Sequence, residues 1–203
     1  MLVYFRGMGR IKTDNNGSRK DVIVEKAAIL FKEKGFKAAS MRELAEVVGV
    51  EAASLYNHIK SKNELLHEIC FNVANRYNEK LDLLDAEPMD SLHKVENLLR
   101  FHIDGMVHHF EEVFVCDREW KHLTEPYLSN FQTQRRNYRK RFAAIIEAGI
   151  AKKEIKNIDA TTAVLIMLHA ISGIESWHRS KQKIDGKELE ENMIAILVGG
   201  LKK

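Results

Sequence analysis

The chain is 203 residues long, 45% hydrophobic and 30% charged, with two prolines and a formal net charge of +3. Proline this scarce favours long helices over a sandwich or barrel, and at this length folding buries roughly 70% of the extended-chain surface, so no disulfide or metal staple is required. The charge is unevenly placed: residues 1–62 hold twelve Lys and Arg against seven Asp and Glu, the remainder twenty against twenty-two, as expected of a polyanion-binding head on a body with a different partner.

Met1 to Gly7 reads MLVYFRG, which resembles the remnant of a protease-site linker, and residues 1–17 are set aside as tag remnant and flexible tail. The first helix is expected from Ser18 to Gly35, with Val22, Ile23, Ala27, Leu30 and Phe31 inward at helical spacing. Gly35-Phe36 ends it, and Phe36 anchors the loop that follows. Ser40 is placed to N-cap a second helix, with Glu43 completing a capping box and Leu44, Ala45, Val47 and Val48 forming its apolar side. Gly49 accepts the left-handed conformation needed at the turn. Val50 plugs the corner, and Leu55 and Ile59 fix a short third helix from beneath. That leaves Ala52, Ala53, Ser54, Tyr56, Asn57 and His58 facing outward.

Ser61 caps a fourth helix, with Glu64 offering a second capping box, and the helix runs to about Leu84 through Leu65, Ile69, Val73 and Tyr77. Spanning both domains, it is the natural lever between them. Glu87-Pro88 breaks the chain. A helix from Ser91 to Glu111 carries Val95, Leu98, Leu99, His102, Met106 and His109 along one side, and a short segment from Cys116 to Leu123 carries Trp120 and His122. After Glu125-Pro126, a long helix from Tyr127 to Lys152 turns Phe131, Tyr138, Phe142, Ile145 and Ile146 inward and a basic run from Arg135 to Arg141 outward. Asp159 caps a helix from Ala160 to Arg179, and Lys187 to Leu201 forms the last one. Cys70 and Cys116 lack a CxxC partner and read as buried thiols of a reducing compartment. With no signal peptide in view and no apolar run approaching roughly 18 residues, the expectation is a cytoplasmic protein without a membrane partner.

Ser40 to Lys62 carries the pattern of a helix-turn-helix, whose second helix enters a DNA groove. Any helical hairpin in a bundle shares the Ala45-x-x-x-Gly49 spacing. The run from Ser54 to Lys62, however, puts a hydroxyl, a phenol, an imidazole and ammonium groups where a bundle wants apolar side chains. The expected fold is all-α, with an N-terminal three-helix helix-turn-helix domain over 18–62 and a C-terminal helical ligand-binding and dimerisation domain over 63–203.

Residues 18 to 66 resemble the DNA-binding domain of the TetR family of transcriptional regulators. The likeness rests on Ala27, Ala28, Leu30, Phe31, Gly35, Phe36, Ser40, Met41, Leu44, Ala45, Gly49, Val50, Leu55, Tyr56, His58, Lys60, Lys62, Leu65 and Leu66. It implies a homodimer whose C-terminal domain binds a small effector, which moves the two heads apart and releases a palindromic operator. Many members carry polar or aromatic residues where this chain has Ala52, Ala53 and Asn57, so base readout here is expected to be thinner.

Double-stranded DNA is therefore the expected partner. Ser40, Tyr56, His58 and Lys62 are assigned to phosphates, as in the family. Arg42, Ala52, Ala53, Ser54 and Asn57 are assigned to base edges: arginine to guanine, asparagine to adenine, alanine methyls to thymine methyls. The last two helices repeat small and apolar residues (Ala163, Met167, Ala170, Ile171 and Ile174; Leu189, Met193, Ile196 and Leu197) as a two-fold dimer interface would. His102, Met106, His109, Trp120, Tyr127, Phe131, Tyr138, His169 and Trp177 are the expected lining of an effector cavity, although each aromatic also suits plain core. The Trp177-His178-Arg179 ending and the Trp120 segment resemble fatty-acid and acyl-CoA-responsive members, with the basic run available for CoA phosphates. No cofactor is expected beyond such an effector. No His-x3-His pair lies within one helix, so no metal site is assigned. Without a glycine-rich phosphate loop or nucleophile elbow, an enzyme is disfavoured. An architectural DNA-binding protein without an effector remains the competing reading.

Overall fold

The computed structural model describes residues 19–181 and 184–202, which hold ten α-helices and one 3₁₀ turn with no strand among them. The tag remnant and tail expected at 1–17 lie outside the described residues. The first helix, α1 (Arg19–Lys34), buries Ile23, Val24, Ala27, Ala28, Leu30 and Phe31. Val22, expected inward, is 43% exposed, because the stripe centred on residues 23, 27 and 30 leaves position 22 off its edge. Gly35 then turns the chain at φ 79°.

In α2 (Met41–Val48) the capping box closes both ways: Ser40 Oγ accepts from the Glu43 amide, and a Glu43 carboxylate oxygen accepts from the Ser40 amide at 2.9 Å. Leu44 and Ala45 are buried as expected, but Val47 is half exposed, so the apolar side of this helix is narrower than its sequence suggests. Gly49, at φ 78°, donates to the Ala45 carbonyl and closes the turn. The reading helix α3 (Ala52–Tyr56) is only five residues long. A segment that short cannot hold itself helical, and it is kept by Leu55 and Ile59, both fully buried.

The long helix α4 (Lys62–Ala86) starts from Ser61, whose Oγ accepts from the Glu64 amide at 3.1 Å. The reciprocal half of this box is shifted by one residue, since the Glu64 carboxylate accepts from the Lys60 amide rather than from that of Ser61. The next helix, α5 (Ser91–His108), stops short of the expected Glu111 because His109 leaves helical geometry at φ −125°, ψ 37°. A further helix, α6 (Phe110–Glu119), takes in the first half of the short segment expected over Cys116 to Leu123, and ends in the 3₁₀ turn Trp120–His122. Phe110, Val113 and Cys116 give α6 a buried stripe facing α1 and α4.

Helix α7 (Tyr127–Ala151) lies alongside α4 in parallel. The pairs ascend both helices together: His67 with Tyr127, Phe71 with Phe131, Asn75 with Gln134, and Asp85 with Arg141. The expected helix over 160–179 is divided at Gly173 into α8 (Ala160–Ser172) and α9 (Ile174–Arg179). Helix α10 (Gly186–Gly199) is tied to α5 by Arg100, which donates to Glu190 and Glu191 while also pairing with Glu96. The stretch Ala160–Arg179 is long and apolar enough to cross a membrane by length and composition, where the sequence reading saw no such run; a third of it is buried within this chain. Core helices commonly pass the same test.

Gly149 marks the tightest approach in the body: a Cβ there would sit 2.8 Å from Ser91 Cβ and 2.7 Å from Ile155 Cδ1. Replacing Gly149 by Ala is expected to destabilise the protein by about 1–3 kcal/mol, read as a lower midpoint in urea unfolding.

Candidate nucleic-acid interface and sensor core

The residues assigned to DNA gather on α2, α3 and the loop after it. Arg42 projects from the first turn of α2 with its side chain 88% exposed, its Nε 3.5 Å from the Glu46 carboxylate. Ala52, Ala53, Tyr56, Asn57 and His58 are exposed, and Ser54 is half-buried. No side chain of α3 carries a charge, so the reading surface is made of methyl, hydroxyl, phenol and amide groups.

Two of the residues assigned to phosphates are occupied within the chain. Ser40 Oγ donates to the Glu43 carboxylate at 2.8 Å. The ammonium of Lys34, with Ser40, holds that carboxyl down to about 2. More consequentially, the Lys62 ammonium donates to the carbonyls of Phe36, Lys37 and Ala39 at 2.7, 3.2 and 2.7 Å, and lies 4.6 Å from the centroid of the Phe36 ring. An ammonium has three N–H donors, and all three point into the α1–α2 loop. The expectation that Lys62 grips a phosphate is corrected by this arrangement: it fixes the loop that presents the start of α2. The exposed cations Lys37 and Lys60, neither of them assigned to a phosphate from the sequence, flank the same surface. Nothing in their spacing distinguished them from Lys62, because only the fold shows which ammonium is spent.

In the body, four of the nine expected cavity residues are buried: His102, Met106, Phe131 and Tyr138. His102 Nε2 and the Tyr138 hydroxyl are hydrogen-bonded at 2.7 Å, Tyr77 lies against the His102 ring at 4.1 Å, Met106 follows one turn on along α5, and Phe131, two turns before Tyr138 on α7, packs on Phe71. Trp120 sits at the edge, 6.1 Å from Phe131. Trp177 lies apart, its Nε1 donating to the Ile184 carbonyl. His109, Tyr127 and His169 are corrected to exposed positions: His109 stands at the α5–α6 corner, Tyr127 is 43% exposed, and His169 is on the outer face of α8. His102 and Tyr138 satisfy one another within this core. Hollows of about 280 and 350 Å³ lie elsewhere, one beside Met89, Lys94 and Arg141, the other beside Val107, Trp177 and Glu190.

Burial pushes His102 down to about 3, so it stands neutral, and raises Tyr138 above the usual phenol range. One helical turn before Tyr138 on α7, Gln134 donates to Asn75 Oδ1 at 2.9 Å while its own Oε1 is buried without a partner. Unmatched buried acceptors are uncommon, and this one lies on the seam between α4 and α7. Because an unfolded histidine protonates near 6.5 and the folded one only near 3, the unfolded chain takes up the extra proton between those values. Stability from this group is therefore complete above about pH 6.5 and is lost as pH falls toward 3, at up to about 1.4 kcal/mol per unit. Chemical denaturation of wild type and His102→Gln across that range is expected to show a shallower pH dependence in the variant.

The family model for the tetracyclin repressor-like C-terminal domain matches residues 88–201, and that for bacterial regulatory proteins of the tetR family matches residues 23–69. The chain is 24% identical over 190 residues to the HTH-type transcriptional repressor KstR2 of Mycolicibacterium smegmatis, covering 91% of each chain. It is 30% identical over 82 residues to the biofilm operon regulator IcaR of Staphylococcus epidermidis, covering 40% of this chain and 42% of that one. Among solved structures, the ketosteroid regulator KstR2 of Mycobacterium tuberculosis superposes with a TM-score of 0.84 at 22% identity, covering 92% of this chain and 96% of that one. AibR, in complex with isovaleryl coenzyme A and operator DNA, does so with a TM-score of 0.78 at 21% identity, covering 89% and 98%. The structural likenesses establish the fold. With one family model spanning more than half of its length and the other lying over the helix-turn-helix, the chain belongs to the TetR family of DNA-binding transcriptional regulators.

Proposed function

We propose that the protein is a homodimeric repressor that leaves a palindromic operator when a largely apolar effector enters the core between α4, α5 and α7. The observation that carries the reading is the coexistence of an uncharged, exposed α3 with a neutral His102–Tyr138 pair set in an apolar body. The head over 18–62 reads DNA: Tyr56 and His58 with Lys37 and Lys60 meet phosphates, and Arg42, Ala52, Ala53, Ser54 and Asn57 meet base edges. In the body over 63–203, Gln134 Oε1 and the His102–Tyr138 pair offer polar fixing points on a greasy wall. An acyl-CoA or fatty acyl effector fits this chemistry. AibR has been solved with isovaleryl coenzyme A, and Arg136, Arg139 and Lys140 leave exposed cations along α7 for phosphates. Its setting is the cytoplasm, where its DNA is.

Dimerisation is assigned to the outer faces of α8 and α10. Ala163, Met167, Ile171 and Ile174, expected to meet a partner, are buried within their own chain, whereas Leu165, Ile166 and Ile196 stand 53%, 58% and 72% exposed. Apolar side chains bared on two helices of one body suit a self-complementary two-fold contact. The competing reading, an architectural protein without an effector, draws on the His102–Tyr138 hydrogen bond, in which the two buried polar groups satisfy one another. The two separate in a thermal shift experiment with isovaleryl-CoA, a long-chain acyl-CoA, the matching free acid and free CoA. Stabilisation by an acyl compound but not by free CoA supports the sensor; no shift at saturating concentrations supports the architectural protein.

For DNA, Lys62→Ala is expected to weaken binding to an operator selected from random duplexes while leaving the salt dependence of Kd unchanged. Loss of a phosphate contact would instead reduce the log–log slope by about 0.9 per head. Ile166→Asp combined with Ile196→Asp is expected to reduce the mass in light scattering to the 23.4 kDa of one chain with helical content retained.

A further inference from the structure

We infer that the 3₁₀ turn Trp120–His122 is a joint that couples the body to the loop before α2, beside the α1–α6 packing, with His122 as its positioning residue. The inference deepens the proposed function, on which it rests only for the direction in which a signal travels.

One end of the turn is seated in the head. The His122 ring stacks on Phe36 with centroids 5.7 Å apart and planes within 16°. Phe36 is buried against Phe31, edge to face at 5.3 Å, and carries the Lys62 ammonium over its ring. Glu119 holds His122 from the other side, its Oε2 3.5 Å from Nε2, while its Oε1 lies where a Cβ on Gly35 would meet it at 3.8 Å. The opposite end is seated in the body: Trp120 lies against Phe131, with the Arg135 guanidinium 5.3 Å from its ring centroid. Three residues of 3₁₀ helix span about 4 Å of axial rise between the two ends, too short and too tightly bonded for one to move without the other.

Beside α4 itself and the buried stripe of α6 against α1, the other links between body and head are ionic. Lys20 pairs with Glu68, and Lys32 with Glu111. Long, partly exposed ionic side chains follow a small displacement by changing rotamer, and such pairs are weak constraints. A ring stacked on the buried Phe36 does not follow. The loop in question ends at Ala39, whose carbonyl Lys62 also holds, one residue before the cap of α2. A side chain or ligand that displaces Trp120 from Phe131 therefore shifts the ring on Phe36, and with it the presentation of α2 and α3.

Backbone amide hydrogen exchange tests this without DNA or effector, so the outcome stands apart from the fate of the sensor reading. His122→Ala is expected to speed exchange in α2 roughly three- to tenfold, with protection of α5 and α7 unchanged. His122→Phe, which keeps a stacking ring, restores it. Trp120→Ala, whose ring contacts lie with Phe131, Arg135 and Lys121, is expected to speed the same α2 amides. The double variant is expected to go no further than the larger single effect. Unchanged α2 exchange in His122→Ala overturns the inference; so does equal acceleration throughout α5 and α7, or additive effects of the two substitutions.

Discussion

Everything in this molecule depends on α4 being one uninterrupted helix with two employers. Its first turns supply Leu65, Leu66 and Ile69 to the same buried core as α1 and α2, and its later turns supply Val73, Leu81 and Leu84 to the body. Twenty-five residues of helix extend about 37 Å, so the two ends sample different surroundings while sharing one rigid axis. Any tilt forced on α4 by the body becomes a displacement of the head. The Lys62 ammonium makes the coupling tighter, because the first residue of α4 also closes the loop that leads into α2.

Charge placement follows the same division of labour. Inside the head, cations that composition would assign to DNA are engaged in holding the fold: Lys34 on Glu43, Lys62 on three carbonyls. The surface left for reading a duplex is correspondingly mild, with Arg42 as its most exposed guanidinium and no charge on α3. In the body, Arg100 and Arg141 are bound into acidic clusters that tie α10 to α5 and α7 to α4. Neutral polar groups, not charges, occupy the interior at His102, Tyr138 and Gln134. Burial keeps His102 and Tyr138 so, since ionising either of them there would cost far more than it returns; the Gln134 amide carries no charge to lose.

The helix-turn-helix was legible because its signals are local: a capping box, a left-handed glycine and two buried anchors within twenty residues. The helical body was legible from spacing, though its joints were not. His108-His109 gives no proline or glycine to announce the end of α5, and the break at Gly173 sits in a sequence that reads as continuous helix. Lys62 shows the harder limit. Its sequence context is indistinguishable from that of a phosphate ligand, and only the proximity of residues 36 to 39, more than twenty positions away, reveals its engagement. The same holds for α8, where periodicity marks two apolar faces and only packing tells which is covered.

The brevity of α3 carries a consequence for how such a protein diversifies. Leu55 and Ile59 are the fully buried anchors, while Ala52, Ala53, Tyr56 and Asn57 are exposed. The letters that recognise sequence can thus be exchanged one at a time at little thermodynamic cost. A lineage carrying this scaffold is free to drift from one promoter to another without passing through unfolded intermediates.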